Sequence, residues 1–248
     1  MPNKINLCNI KIDNFSMQET VEEIDYLIKQ KAQVFAVTPN VDHIVKLQSD
    51  AELRRAYENA SLVLADGIPI MWAAKFLGAP LKEKISGSDL FPKLCEVATE
   101  REYRLFFLGG RPEAALKAAE ILRNRHAKIQ IVGTYSPPFN FENDKVENDK
   151  IVRMIKDSKP DILFVGLGAP KQEKWIYRHK DEYQVPVSIG IGASFEFISG
   201  MVKRAPLWMQ KAGLEWFWRL VMEPRRLWKR YLVDDMKFFW LVLRQKVN

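Results

Sequence analysis

The sequence predicts an α/β fold, a mostly parallel sheet with helices on both faces, and three observations predict it. Six short apolar runs, "QVFAV", "SLVLA", "RLFFLGG", "KIQIVG", "DILFVGLG" and "PVSIGIG", are bounded by Gly, Pro or Asp and enriched in β-branched residues, which is how buried strands read. Amphipathic stretches separate them, and strand alternating with helix implies parallel pairing, because a crossover helix returns the chain to the same end of the sheet. The composition, 47% hydrophobic and 28% charged over 248 residues, is that of a globular chain with a sizeable core.

The helices announce their starts. "SMQE" (Ser16 to Glu19) and "SDAE" (Ser49 to Glu52) fit a capping box, in which a hydroxyl and a carboxylate three residues apart satisfy each other's free backbone N–H groups. Pro112 and Pro170 fall where a first helical turn accepts a residue without an N–H. "NFENDKVENDK" reads as a polar loop entering a helix, and no internal repeat or low-complexity stretch interrupts the pattern. The character changes near Lys203. Residues 205–248 carry nine Lys/Arg against four Asp/Glu and five of the seven tryptophans, so the chain divides into a body, 1–204, and a basic, aromatic-rich helical appendage, 205–248.

Several classes are disfavoured. Cys8 and Cys95 lie far apart and His43, His126 and His179 are scattered, which fits a reducing cytoplasm and no structural zinc. The first residues, "MPNKINLCNIKIDNF", lack an apolar signal core, and no apolar run approaches the roughly 20 residues of a spanning helix, so the protein is expected to be neither signal-secreted nor integral.

In a parallel sheet ligands bind at the carboxyl ends of the strands. The residues there are "TPNVDH", "DGIPIMW", "GGRPE", "GLGAPKQEKW" and "IGASFEF". Gly109, Gly110, Gly166, Gly168, Gly190 and Gly192 suit tight strand-to-helix turns, and equally a diphosphate held by backbone N–H groups and helix N-termini. GxGxxG and GxxxxGK[ST] are both absent, which excludes the ordinary dinucleotide and P-loop arrangements. Asp66 reads either as the cap of a helix starting near Ile68 or as a general base reaching a bound hydroxyl. Thr38 and Asn40 are a turn around Pro39 or a sugar-binding pair. Gln172 and Glu173 are expected on an exposed first helical turn, where the helix dipole alone accounts for the glutamate.

The ordered string "TPNVDH", "ADG", "GLGAPKQEKWI", "GASFEFISGMVKRAPLWMQKAGLEWFWRLVMEPRRLWKRYL" resembles the WecG/TagA/CpsF family of bacterial glycosyltransferases, which includes N-acetylmannosaminyltransferases. The likeness runs from about Ile5 to Tyr231. It implies a Rossmann-like architecture, a UDP-sugar donor, a polyprenyl-diphosphate-linked acceptor and inversion at the anomeric carbon. By the same resemblance Asp66 is the base, Thr38 and Asn40 line the sugar and acceptor pocket, and Gln172 faces it. Gly109 and Gly168 belong to the donor-binding strand ends. Two positions depart from the family pattern. Lys84 in "KISGSD" stands where many members have arginine, exchanging a bidentate diphosphate clamp for a point charge, and Glu196 in "FEF" stands where many have aspartate, which alters contact with the nucleoside.

No DxD occurs in the chain, so metal-independent transfer is expected, with amides, helix dipoles and Lys84 facing the departing UDP. At 100° per residue after Pro224, Arg226, Arg230, Lys237 and Arg244 fall on one face, while Trp228, Tyr231, Phe238, Phe239 and Val242 fall on the other. An ordinary packed helix and a nucleic-acid arm are the other readings of such a stretch. With a lipid-linked acceptor it becomes an interfacial segment on an anionic membrane, peripheral on the inner face of the plasma membrane, with Arg219 and Arg226 also able to reach the acceptor diphosphate. Proline at 224 predicts two short helices rather than one rod. A nicotinamide- or S-adenosylmethionine-dependent enzyme and a basic non-enzymatic module remain as alternatives. The sequence leaves homo-oligomerisation open.

Overall fold

A computed structural model describes residues 3–247. The chain opens with an antiparallel hairpin, β1 (Lys4–Leu7) and β2 (Ile10–Asp13), turned by Cys8 and Asn9 at φ 49° and 67°. These strands leave no visible signal in the sequence, because four residues apiece, interrupted by polar side chains, are too short for a period to register. Their inner faces are buried, and the Asp13 carboxylate accepts from the Val63 N–H at 2.8 Å, fastening the hairpin to the main sheet.

Next come α1 (Met17–Lys29), β3 (Val34–Val37), α2 (Val41–Leu47), α3 (Ala51–Glu58), β4 (Leu62–Val63), α4 (Ile68–Phe76), α5 (Gly87–Arg101) and β5 (Arg104–Gly109). They are followed by α6 (Ala114–Arg125), β6 (Gln130–Tyr135), α7 (Lys145–Ser158), β7 (Ile162–Gly166), α8 (Lys171–Tyr183), β8 (Val187–Gly190) and α9 (Ser194–Ile198). All six apolar runs are strands, and all pair in parallel in the order β4-β3-β8-β7-β5-β6. The sheet separates two cores. Phe35, Val37, Phe106, Leu108, Leu163 and Val165 point to one, and Ala36, Leu105, Phe107, Phe164, Val187 and Ile189 to the other, as the two-residue period of a strand requires.

The helix starts hold in part. Ser16 and Glu19 form the predicted capping box. For α3 the cap is Asp50, one residue beyond the expected Ser49, because a carboxylate there reaches the Leu53 N–H. Pro112 precedes a left-handed Glu113 cap, and Pro170 is itself the N-cap of α8, so neither lies inside a first turn.

The chain leaves β5 for β6 in one direction across the sheet and leaves β7 for β8 in the other, so a crevice opens between the carboxyl ends of β5 and β7. Gly109 lines it at φ +104°, and a Cβ there would come within 2.8 Å of the Gly166 carbonyl carbon. Gly109→Ala should therefore cost on the order of 2 kcal/mol and lower Tm by roughly 4–8 °C in a melting experiment; an unshifted Tm would show that the turn adapts.

Beyond α9 lie α10 (Leu207–Lys211), α11 (Glu215–Met222), α12 (Pro224–Lys229), a π-helical turn (Arg230–Asp234) and α13 (Met236–Val247). Pro224 occupies the first turn of α12, giving the expected break. Phe238 and Val242 join the core beside α2, and the Gln245 amide bridges the Cys8 N–H and the Asn6 carbonyl. No described helix is long and apolar enough to cross a membrane.

Candidate functional site

Asp66 follows β4, its N–H donating to the Pro39 carbonyl at 2.9 Å, which ties it to the loop that follows β3. It does not cap α4: that position belongs to Gly67, at φ +101°, with no side-chain cap. The carboxylate is left free of any hydrogen bond among the described residues. Desolvation raises it to about 6; Lys84 and His43 act against that rise, while Glu215 and Asp89 add to it. A carboxylate so tuned sheds its proton just below neutrality and can take one back from an attacking hydroxyl.

Thr38 and Asn40 stand beside it at the end of β3, Thr38 buried and Asn40 partly accessible. Asn40 caps α2, its Oδ1 accepting from the His43 N–H at 3.4 Å and lying 2.8 Å from His43 Nδ1. Its position at the end of β3 is thus fixed by its structural duty. Lys84 is ion-paired to Asp89 at 2.7 Å, and Ser86 donates to the same carboxylate oxygen. Against the upward push of burial, these bonds hold the Asp89 carboxyl below its usual range. Arg204 completes the cluster, 2.7 Å from Asp89 and 3.2 Å from Glu215, a cation that sequence reasoning did not single out.

Gln172 is buried at the start of α8, where its Oε1 accepts from the Gly192 N–H at 3.1 Å and its side chain lies over Gly190. Gln172 and Glu173 both depart from expectation: they are 3% and 0% exposed, not on an open turn, because the first turn of α8 packs inward beneath α2 and α3. Gly168, at φ +73°, has open space where a side chain would be. Glu196 accepts from the Arg111 N–H at 2.9 Å, bracing the loop beyond Gly109 and Gly110, and its second oxygen is buried without a partner.

The appendage returns to this strand edge. Gly213 packs on Ile68, Glu215 meets Arg204, Glu223 pairs with Arg111 at 2.8 Å, and Arg230 reaches Asn40 at 3.4 Å and Asp42 at 3.5 Å. The four basic residues expected on one face therefore divide. Arg230 is inward and ion-paired, while Arg226 (paired with Glu223), Lys237 and Arg244 are exposed. The π-helical turn inserts one residue into the helical phase, so a projection at 100° per residue fails past Lys229. The apolar side divides as well: Phe238 and Val242 are buried, whereas Trp228 and Phe239 face outward. Among the described residues, fourteen large apolar side chains are exposed after residue 204 and six before it. No group of three or more His, Cys, Asp or Glu side chains among the described residues is arranged to hold a metal ion.

A parallel sheet with a switch point, and an uncommitted carboxylate at one end of its glycine-walled strand edge, is a Rossmann-like arrangement with a candidate site at its carboxyl ends. The chain belongs to the glycosyl transferase WecG/TagA/CpsF family, whose sequence profile matches residues 5–248. It is similar to the N-acetylglucosaminyldiphosphoundecaprenol N-acetyl-beta-D-mannosaminyltransferase of Bacillus subtilis (strain 168), with 32% identity over 91% of this chain and 86% of that protein. Proteins of the same description from Staphylococcus aureus strains MW2 and NCTC 8325 / PS 47 are 30% and 29% identical over 90% of the chain and 87% of their own length.

Proposed function

We propose that this glycosyltransferase moves a sugar, N-acetylmannosamine or a related hexose, from UDP to a saccharide carried on a polyprenyl diphosphate, with inversion and without a metal ion. The observation that carries the reading is the free Asp66 carboxylate beside Thr38 and Asn40. The nucleoside lies in the crevice at Gly109 and Gly168, braced by Glu196, and the donor extends along the strand ends past Gln172. From β7 to β4 is three inter-strand spacings, about 14 Å, so the diphosphate crosses the middle of the edge and the sugar meets Asp66. The acceptor hydroxyl gives its proton to Asp66 as its oxygen bonds to the anomeric carbon. The bond from that carbon to the β-phosphate oxygen breaks, and its electron pair leaves on UDP. Backbone N–H groups and Lys84, released from Asp89 or sharing it, face the departing charge.

The relatives' names support the lipid-linked acceptor. The exposed Trp208, Trp228 and Trp240, together with the exposed Arg226, Lys229 and Lys237, support an anionic membrane surface as the place of work. A panel of UDP-sugars with a lipid-diphosphate-sugar acceptor, scored for UDP release, tests the reading; no release with any donor would overturn it. Activity should also persist in excess EDTA. Loss restored by Mg²⁺ or Mn²⁺ would show that a cation holds the diphosphate.

A further inference from the structure

Glu173 is fully buried, and no step of the displacement uses it. Its Oε1 accepts from Gln172 Nε2 at 2.8 Å and lies 3.3 Å from Nε2 of His43, also buried. His43 Nδ1 in turn lies 2.8 Å from Asn40 Oδ1, and Gln172 holds the Gly192 N–H. The string Asn40, His43, Glu173, Gln172 and Gly192 thus joins the end of β3 to the end of β8 across the middle of the strand edge. His43 Nδ1 also accepts from the Asn40 backbone N–H at 3.3 Å, closing a capping box, while Nε2 faces the Glu173 carboxylate.

A buried polar pair of this kind is seldom retained for stability, since apolar residues of similar volume do as well or better there. What it adds is a fixed geometry between the groups it joins. Its surroundings sharpen the point. Tyr57, from α3, places its ring 6.4 Å from the imidazole, and its hydroxyl and Glu173 Oε2 are both buried without a partner. Asp66, beyond β4, feels the His43 charge, and Asp42 and Arg230 flank Asn40.

We infer that Glu173 and His43 are a positioning pair, which holds Asn40 and the turn after β8 in register with Asp66 for sugar transfer. The pair touches neither donor nor acceptor; it acts through Asn40 and Gln172. His43 also opposes the rise of the Asp66 carboxyl, favouring the ionised base. This inference rests on the proposed role of Asp66.

The test uses the full chain and ¹⁵N signals of its three histidine rings, with His43 assigned by its loss in His43→Gln. In the parent the His43 Nε2 signal should be that of an N–H donating to Glu173, and in Glu173→Gln that signal should move. Glu173→Gln should keep its circular dichroism, its UDP affinity and its donor KM within about threefold. Its kcat should fall about 10²-fold, the size of effect a misplacement of about 1 Å produces. His43→Gln should behave alike, and the double variant should be no slower than either single one, as expected for groups acting as a unit. Should Glu173→Gln fail to fold, His43→Gln carries the kinetic comparison. A kcat within twofold of the parent, or a parent His43 whose Nε2 carries no proton toward Glu173, overturns the inference. A parent that transfers no sugar from any donor defeats the proposed function instead, while the ring signals still decide the pairing.

Discussion

Asp66→Asn is expected to fold, to bind UDP as the parent does, and to turn over about 10²–10⁴ times more slowly. Asparagine keeps the shape of the side chain and the backbone bond to Pro39, and removes only the oxygen that receives the proton. In the parent, the acid limb of the pH–rate profile should fall at about 6, because burial holds the Asp66 carboxyl there and the base works only when ionised. The same shift bears on stability. The folded chain keeps this proton up to about pH 6, whereas the unfolded chain releases it near the ordinary 3.8. The native state is then the more protonated in that window, so this residue's stabilising contribution is complete at low pH and lost as pH rises through about 6. Asparagine carries no such cost. The variant should melt higher than the parent at pH 7.5, by an amount on the order of 2 kcal/mol, with the gap closing toward pH 4. Turnover near that of the parent would remove Asp66 from the mechanism, and an unchanged melting temperature would show that its carboxylate is well solvated.

Arg230→Ala should lower activity at least 10²-fold on a soluble short-chain acceptor as well as in membranes. The guanidinium joins the appendage to Asn40 and Asp42 at the strand edge and stands 3.8 Å from Asp235, a carboxyl that burial pushes up to about 6. Removing one partner leaves buried carboxylates unbalanced, costing about 3–5 kcal/mol locally, and loosens the segment that covers the site. The double reversal Arg226→Glu with Lys237→Glu acts elsewhere. Both side chains are exposed, and each basic group near an anionic bilayer contributes about 1 kcal/mol, screened by salt. This variant should lose co-sedimentation with anionic liposomes and activity on a long-chain membrane acceptor, yet keep activity on the short one. Equal behaviour of the two variants on both acceptors would mean that the appendage does not divide into a covering part and a membrane-facing part.

The sequence by itself determined the elements whose signals are local. Six strands, their parallel pairing and the glycine-rich strand ends follow from a two-residue period, from crossover handedness and from positive φ, all readable within a few residues. The family resemblance placed Asp66, Thr38 and Gln172 at one edge, and the structure brings Asp66, Thr38 and Asn40 together there. The freedom of the Asp66 carboxylate was not readable, because a capping and a free aspartate occupy the same position in sequence; Gly67 as N-cap rules out the cap. The tertiary structure alone decided the rest. Glu173 looks like an ordinary first-turn acid until α2, 130 residues away, supplies His43 to face it. Arg230 looks like part of a basic face until a π-helical turn shifts its phase and Asn40, 190 residues earlier, receives it. A residue's secondary structure is set largely by its neighbours in the chain, whereas burial and ion pairing are set by whatever packs against it, and periodicity carries no record of partners so remote.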